Sequence, residues 1–275
     1  MKAYLKMMKR LPLYSSCAAE DIVFFIDLDV EMSRCNIHAY PPRQVAPGVG
    51  GSLSRIQHVC DAVFMFMMLK IRMNPRNRFA FALLTEEACL YQQFTNDMTL
   101  LVQRLHEIRP SPRSFDALDM ASVFGLMQQL SLSAEAQARG SPARTPHEWS
   151  APSSSSSSST EPPITHGILY YGRSHVIPTG GGAALTQNVF GKEFPMTDGR
   201  YAFDAYYLHT HPQESDSVTI TPQEVYDGIT SCALTDHDFF LEVSNANSRF
   251  HRNHALLLSH PTQRGEQTEL RAFEL

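Results

Sequence analysis

Residues Asp21 to Leu28 read DIVFFIDL, an unbroken β-branched and aromatic run. A strand with one face in water alternates apolar with polar residues. This one does not alternate, so it is expected at the centre of a mostly parallel sheet, covered on both faces. It ends in an acidic cluster, Asp27, Asp29 and Glu31.

Outward from that strand, a Pro- and Gly-rich stretch from Tyr40 to Gly51 leads into Ser52. Apolar residues then recur at Leu53, Ile56, Cys60, Val63, Met67 and Ile71, the spacing of a helix crossing back over the sheet. Arg78 to Thr85 and Ala88 to Thr95, separated by Glu86-Glu87, read as a hairpin. Asn96 or Asp97 caps a helix running to about His106. After Pro110-Ser111-Pro112, Ser114 is expected to open another helix that carries Phe115, Leu118, Met120, Phe124, Met127 and Leu130.

Ser131 to Pro163 loses this pattern; it holds seven consecutive serines, Ser153 to Ser159, and is expected to be a disordered insert. Strands follow at Thr165 to Tyr171, Tyr201 to His209 and Phe239 to Val243, with a loop at Gly180 to Gly182 and then a short helix. Thr221-Pro222-Gln223-Glu224 has the spacing of a capping box with proline at the first helical position. Ser248 to His260 reads as a helix and Glu269 to Glu274 as an edge strand. The whole is an α/β domain with helices on both faces of a mostly parallel sheet and one antiparallel hairpin strand. Residues 1–20 form a lead-in, 21–275 one domain interrupted at 131–163, and 256–275 its tail.

Composition narrows the function. The chain has 275 residues, 23 Lys and Arg against 28 Asp and Glu, and only 19% charged residues. Soluble domains usually carry about 25%. A weakly negative, charge-poor chain lacks the basic footprint of a nucleic-acid binder. Low charge suggests instead a surface kept apolar for permanent subunit contacts. The longest apolar run, Ala62 to Leu69, is too short to span a bilayer, and Met1 to Pro12 does not read as a secretory signal. Five cysteines without a C-x-x-C pair are expected to be buried, reduced thiols of an intracellular protein.

Asp27-x-Asp29-x-Glu31 lies where open α/β sheets bind ligands, beyond the carboxyl end of a strand. It resembles the Asp-x-Ser-x-Ser metal motif of von Willebrand A domains, with carboxylates at both hydroxyl positions. The fourth strand leaves through Tyr170-Tyr171-Gly172-Arg173, so an arginine stands near the place of that motif's distant aspartate. The site therefore reads as degenerate, with no metal or other cofactor expected. His209-x-His211-Pro212 resembles the zinc motif of JAMM-type isopeptidases, but Pro222 occupies the third-ligand position. The nearest upstream acids, Glu148 and Glu161, fall in the insert. A divergent zinc isopeptidase using His209 and His211, or a cation-dependent adhesion module, are the alternatives. Gly48-x-Gly50-Gly51 and Gly180 to Gly182 lack a phosphate-binding fingerprint, and no serine nucleophile elbow occurs.

Together, DIVFFIDLDVEMS (Asp21 to Ser33), Arg78 to Leu84, SFDALDMASVFGLMQQL (Ser114 to Leu130), ILYYGR (Ile168 to Arg173), Phe203 to His209 and LLLSHPTQR (Leu256 to Arg264) resemble one family. It is the von Willebrand A-like scaffold subunit of the BRISC and BRCA-A deubiquitinase complexes. The resemblance implies a non-enzymatic subunit that holds together a JAMM-type catalytic subunit, its pseudo-enzyme partner and a ubiquitin-variant-like subunit. It implies action on non-degradative ubiquitin chains in DNA-damage and mitotic signalling, in nucleus and cytoplasm. The family's Pro-x-x-Arg tail element is matched by Pro261 and Arg264, expected to present a guanidinium fork to a partner. The chain starts almost at the first strand, so partner motifs in relatives' longer N-terminal extensions are expected to be missing. The insert and His211-Pro212 also lack a family counterpart.

Overall fold

A computed structural model describes residues 18–34, 53–140, 163–180, 199–210, 219–244 and 247–264. Strand β1, Glu20–Asp27, is buried along its whole length. It lies between β2 (Arg78–Leu84) and β4 (Ile164–Tyr171), parallel to both, with Phe24 level with Phe81 on one side and Ile168 on the other. Ile22, Phe24 and Ile26 point into one apolar core, Val23 and Phe25 into the other. Two covered faces explain why the run has no polar alternation.

The sheet has six strands in the order β3-β2-β1-β4-β5-β6, where β3 is Ala88–Thr95, β5 Tyr201–His209 and β6 Phe240–Ser244. Only β3, at one edge, is antiparallel to its neighbour. Helices α1 (Arg55–Met73), α2 (Met98–Glu107) and α5 (Asn247–Leu256) share the core containing Phe24. Helices α3 (Met120–Gly140) and α4 (Pro222–Thr230) share the core with Phe25. The caps expected on α2 and α4 form, and α1 has a further one at Ser54. Ser54 and Gln57 make a capping box on α1, Asp97 caps α2, and Thr221 with Glu224 boxes α4 behind Pro222.

Four expectations need correction. The helix expected from Ser114 begins at Met120, because the preceding chain is held by other elements: Asp29 Oδ2 accepts from Phe115 N, and Leu118 O accepts from Thr179 N. Helix α3 then runs on to Gly140, into the stretch read as disordered, with Leu130 and Ala134 buried one turn apart. Helix α5 stops at Leu256, short of His260. His260 precedes a proline, which disfavours helical backbone, and it is extended at ψ 136. Cys89 is exposed, whereas Cys60 is half-buried and Cys232 buried; all three are free thiols. The rest of the insert, the short helix after Gly182 and the strand at Glu269 to Glu274 lie outside the described residues.

Candidate functional site

Because β2 and β3 build outward on one side of β1 and β4 to β6 on the other, the carboxyl ends of β1 and β4 flank the switch point of the sheet. Asp27 ends β1, and Gly172-Arg173 leaves β4 beside it. Both Asp27 and Arg173 are fully buried. Arg173 Nε and Nη2 donate to Asp27 Oδ1 at 3.1 and 2.9 Å. Its Nη1 donates to Ala117 O and its Nη2 also to Thr85 O. Backbone N–H groups of Gly172 and Asp29 complete the carboxylate's shell at 3.1 Å each. Burial is the largest influence on Asp27 and pushes its carboxyl up from the ordinary value, against the pull of Arg173 and these N–H groups.

Asp29 caps a short 3-10 turn, Val30–Ser33, through Glu31 N. Its Oδ2 accepts from Phe115 N at 2.8 Å and from Ser114 Oγ at 3.2 Å. Glu31 Oε1 accepts from Ser174 N and Oγ, and lies 3.0 Å from His175 Nδ1. Its Oε2 is 3.5 Å from Arg34 Nη1 and 3.6 Å from Arg55 Nη1. Burial raises the Glu31 carboxyl, but Ser174, His175 and Arg34 outweigh it and leave it lowered. His175 Nε2 is 2.8 Å from Ser114 Oγ.

A von Willebrand A-type site would place a divalent cation here, and the donor set does not fit one. Asp29, Glu31 and His175 do bring ligand atoms within 4.8 Å of one another. Yet Asp29 Oδ2 and Glu31 Oε1 each receive protein N–H or O–H donors, Glu31 Oε2, which makes no hydrogen bond, faces the guanidinium groups of Arg34 and Arg55, and the fully buried Asp27 holds a guanidinium. Hydrogen-bond donors point where a hard cation needs free oxygen lone pairs.

The other sequence candidates fall elsewhere. His209 is buried at the end of β5, 2.5 Å from Glu242 Oε1 through Nε2 and stacked on Tyr207. Pro222 opens α4, so the position a third zinc ligand would need is a helix start. His211 and Pro212 lie outside the described residues. A cleft of about 740 Å³ between α1 and α2 is lined by Ile56, Cys60, Phe64 and Leu105 among others. Burial pushes its Cys60 thiol up to about 12, which leaves it protonated and unreactive.

The expectation that Arg264 offers its fork outward is corrected. Pro261 and Arg264 are both buried. Arg264 Nη1 donates to Asp204 Oδ1 and Oδ2 at 2.9 and 2.7 Å, Nη2 to Leu257 O and Nε to Ser259 O, with Phe239 under the guanidinium. Asp204 also meets His166 Nε2 at 2.7 Å, and His166 Nδ1 lies 3.4 Å from Glu20, which is paired with Lys70. Sequence reasoning missed this buried chain of charges. Its signal was available: Glu20, His166 and Asp204 each sit in or beside an apolar strand, and a polar group there needs a buried partner. Burial alone would raise Glu20, but Lys70 and His166 bring its carboxyl down to about 2. Asp204 is likewise lowered, with Arg264 and His166 overcoming its burial.

Among solved structures similar to this chain is the VWA domain of SpRpn10, at 12% identity and a TM-score of 0.47, covering 90% of this chain and 99% of that one. BatB from Bacteroides thetaiotaomicron aligns at 9% identity and 0.49, over 90% and 100%. A von Willebrand factor type A protein from Catenulispora acidiphila aligns at 9% and 0.47, over 90% of this chain and 44% of that one. No family model matches, and no curated protein does. By its own strand order, with helices on both faces of a mostly parallel sheet and one antiparallel edge strand, the fold is von Willebrand A-like. These similarities concern fold alone. Among the described residues no helix is long and apolar enough to cross a membrane.

Proposed function

We propose that the chain is a non-catalytic scaffold subunit of a JAMM-type deubiquitinase assembly of the BRISC or BRCA-A kind. In this reading it binds the ubiquitin-variant-like subunit and, through it, the catalytic subunit and its pseudo-enzyme partner. The proposal extends to action on non-degradative ubiquitin chains in nucleus and cytoplasm. What supports the reading, beside the sequence stretches from DIVFFIDLDVEMS to LLLSHPTQR, is how the chain itself occupies the carboxylates of the crown, the loops beyond the carboxyl ends of β1, β2 and β4. Asp27, Asp29 and Glu31 are each engaged by donors of the chain itself. Carboxylates held in this way position loops; the one oxygen among them without a hydrogen bond, Glu31 Oε2, faces the guanidinium groups of Arg34 and Arg55.

Mixing the purified full chain with the ubiquitin-variant-like subunit and running size exclusion tests the proposal. Co-elution in a defined ratio is expected. Independent elution of two well-folded proteins would sink it.

A further inference from the structure

The misfit between the fold's expected cation and the residues present has a constructive side. One guanidinium joins four chain segments: Asp27 ending β1, Thr85 O after β2, Ala117 O before α3, and Gly172-Arg173 after β4. Every atom it meets by hydrogen bonding is an oxygen, two from a carboxylate and two from carbonyls, the ligand type a hard cation takes. Its charge balances that of Asp27, and both groups are fully buried. Phe115 and Tyr171 place their rings 5.2 and 5.6 Å from the guanidinium carbon. No side is left open to solvent or to another molecule's carboxylate.

We propose that Arg173 is a tethered cation that replaces the divalent ion of this fold, fixing the crown loops in one arrangement at any metal concentration. Binding of a partner through a shared metal is thereby excluded at this end of the sheet. The latent oxygen set remains, masked by the guanidinium.

Thermal unfolding of the full chain tests this, in EDTA and in millimolar Mg²⁺, with and without methylguanidinium. The wild type is expected to show one Tm in all conditions. Arg173→Ala is expected to melt about 10 °C lower, since a buried charge loses its partner in a domain of this size. Methylguanidinium or Mg²⁺ should recover part of that loss, and neither should act on the Asp27→Asn, Arg173→Ala pair. Arg173→Lys, which keeps a buried positive charge, carries the test where the alanine variant does not fold: it should fold, melt below wild type and ignore Mg²⁺. A wild-type Tm that rises with Mg²⁺, an Arg173→Ala Tm equal to wild type, or no recovery by either cation would overturn the proposal.

Discussion

Arg264→Ala removes the guanidinium that holds the last described turn of the chain onto the sheet. Two bonds to the Asp204 carboxylate go, together with those to Leu257 O and Ser259 O. Asp204 is fully buried and, among the described residues, keeps hydrogen bonds only to His166 Nε2 and Phe239 N. Breaking a buried ion pair by deleting one partner costs about 3–5 kcal/mol, mostly the penalty of the stranded charge. That is a large share of the roughly 5–15 kcal/mol that holds a domain together. Urea denaturation at pH 7 followed by circular dichroism measures it. Asp204→Asn combined with Arg264→Met leaves no buried unpaired charge and should recover part of the loss. A cost below about 1 kcal/mol for Arg264→Ala would refute the inward placement and restore a guanidinium directed at a partner. Loss of partner binding by Arg264→Ala without loss of stability would do the same.

Acidification should weaken the domain through Glu20. Its folded value of about 2 lies below the ordinary 4.5, so its contribution is complete above 4.5 and disappears as pH falls through 2. The shift is worth about 3 kcal/mol, so wild type and Glu20→Gln should differ by that order at pH 6 and converge near pH 2 in urea titrations; a constant gap would count against it. Gly167→Ala would set a methyl 2.6 Å from Met127 Sδ and 3.1 Å from Phe203, where α3 crosses β4. Overpacking of this kind costs about 1–3 kcal/mol, and an unchanged Tm would mean that Met127 can move aside. Ser54→Ala removes the hydroxyl half of the α1 capping box, to which Gln57 N donates, and leaves the Ser54 N–H on Gln57 Oε1; it should cost about 1 kcal/mol, with faster amide exchange confined to the first turn of α1.

The fold was legible where local pattern and tertiary environment agree. DIVFFIDL announces a strand covered on both faces, and Thr221-Pro222-Gln223-Glu224 announces a capped helix start, because each needs nothing beyond its own neighbours. The antiparallel pairing of β3 with β2 followed from their short connection. The start of α3 was misplaced because Ser114 and Phe115, whose sequence suits a helix, are claimed by Asp29 across 85 and 86 residues. Its end was misplaced because serines in SLSAEAQARG obscured the spacing of Leu130 and Ala134. Distance in sequence also explains Arg264. Its partner Asp204 is 60 residues away, and nothing within the tail distinguishes a fork turned inward from one turned outward. Arg173 was noticed beside the carboxylates, but its bonds to Thr85 O and Ala117 O depend on loop geometry that only the folded chain supplies.

The two arginines give the low charge content a more specific meaning. Seven acids and four bases are buried among the described residues. A fully buried pair is Asp27 with Arg173 at the carboxyl end of the parallel strands; another is Asp204 with Arg264, beside the pair Glu20 with Lys70. A chain with 19% charged residues thus places part of that charge inside. Its surface is not greasy: among the described residues the exposed large hydrophobics are Met65, Leu90, Leu132 and Ile177, on α1, β3, α3 and the loop after β4. Protein interfaces as a whole are about as polar as the rest of a protein surface, so the lack of a broad apolar patch among the described residues does not count against partner binding. The ionic energy of the buried pairs is spent inside the domain, holding its two ends closed.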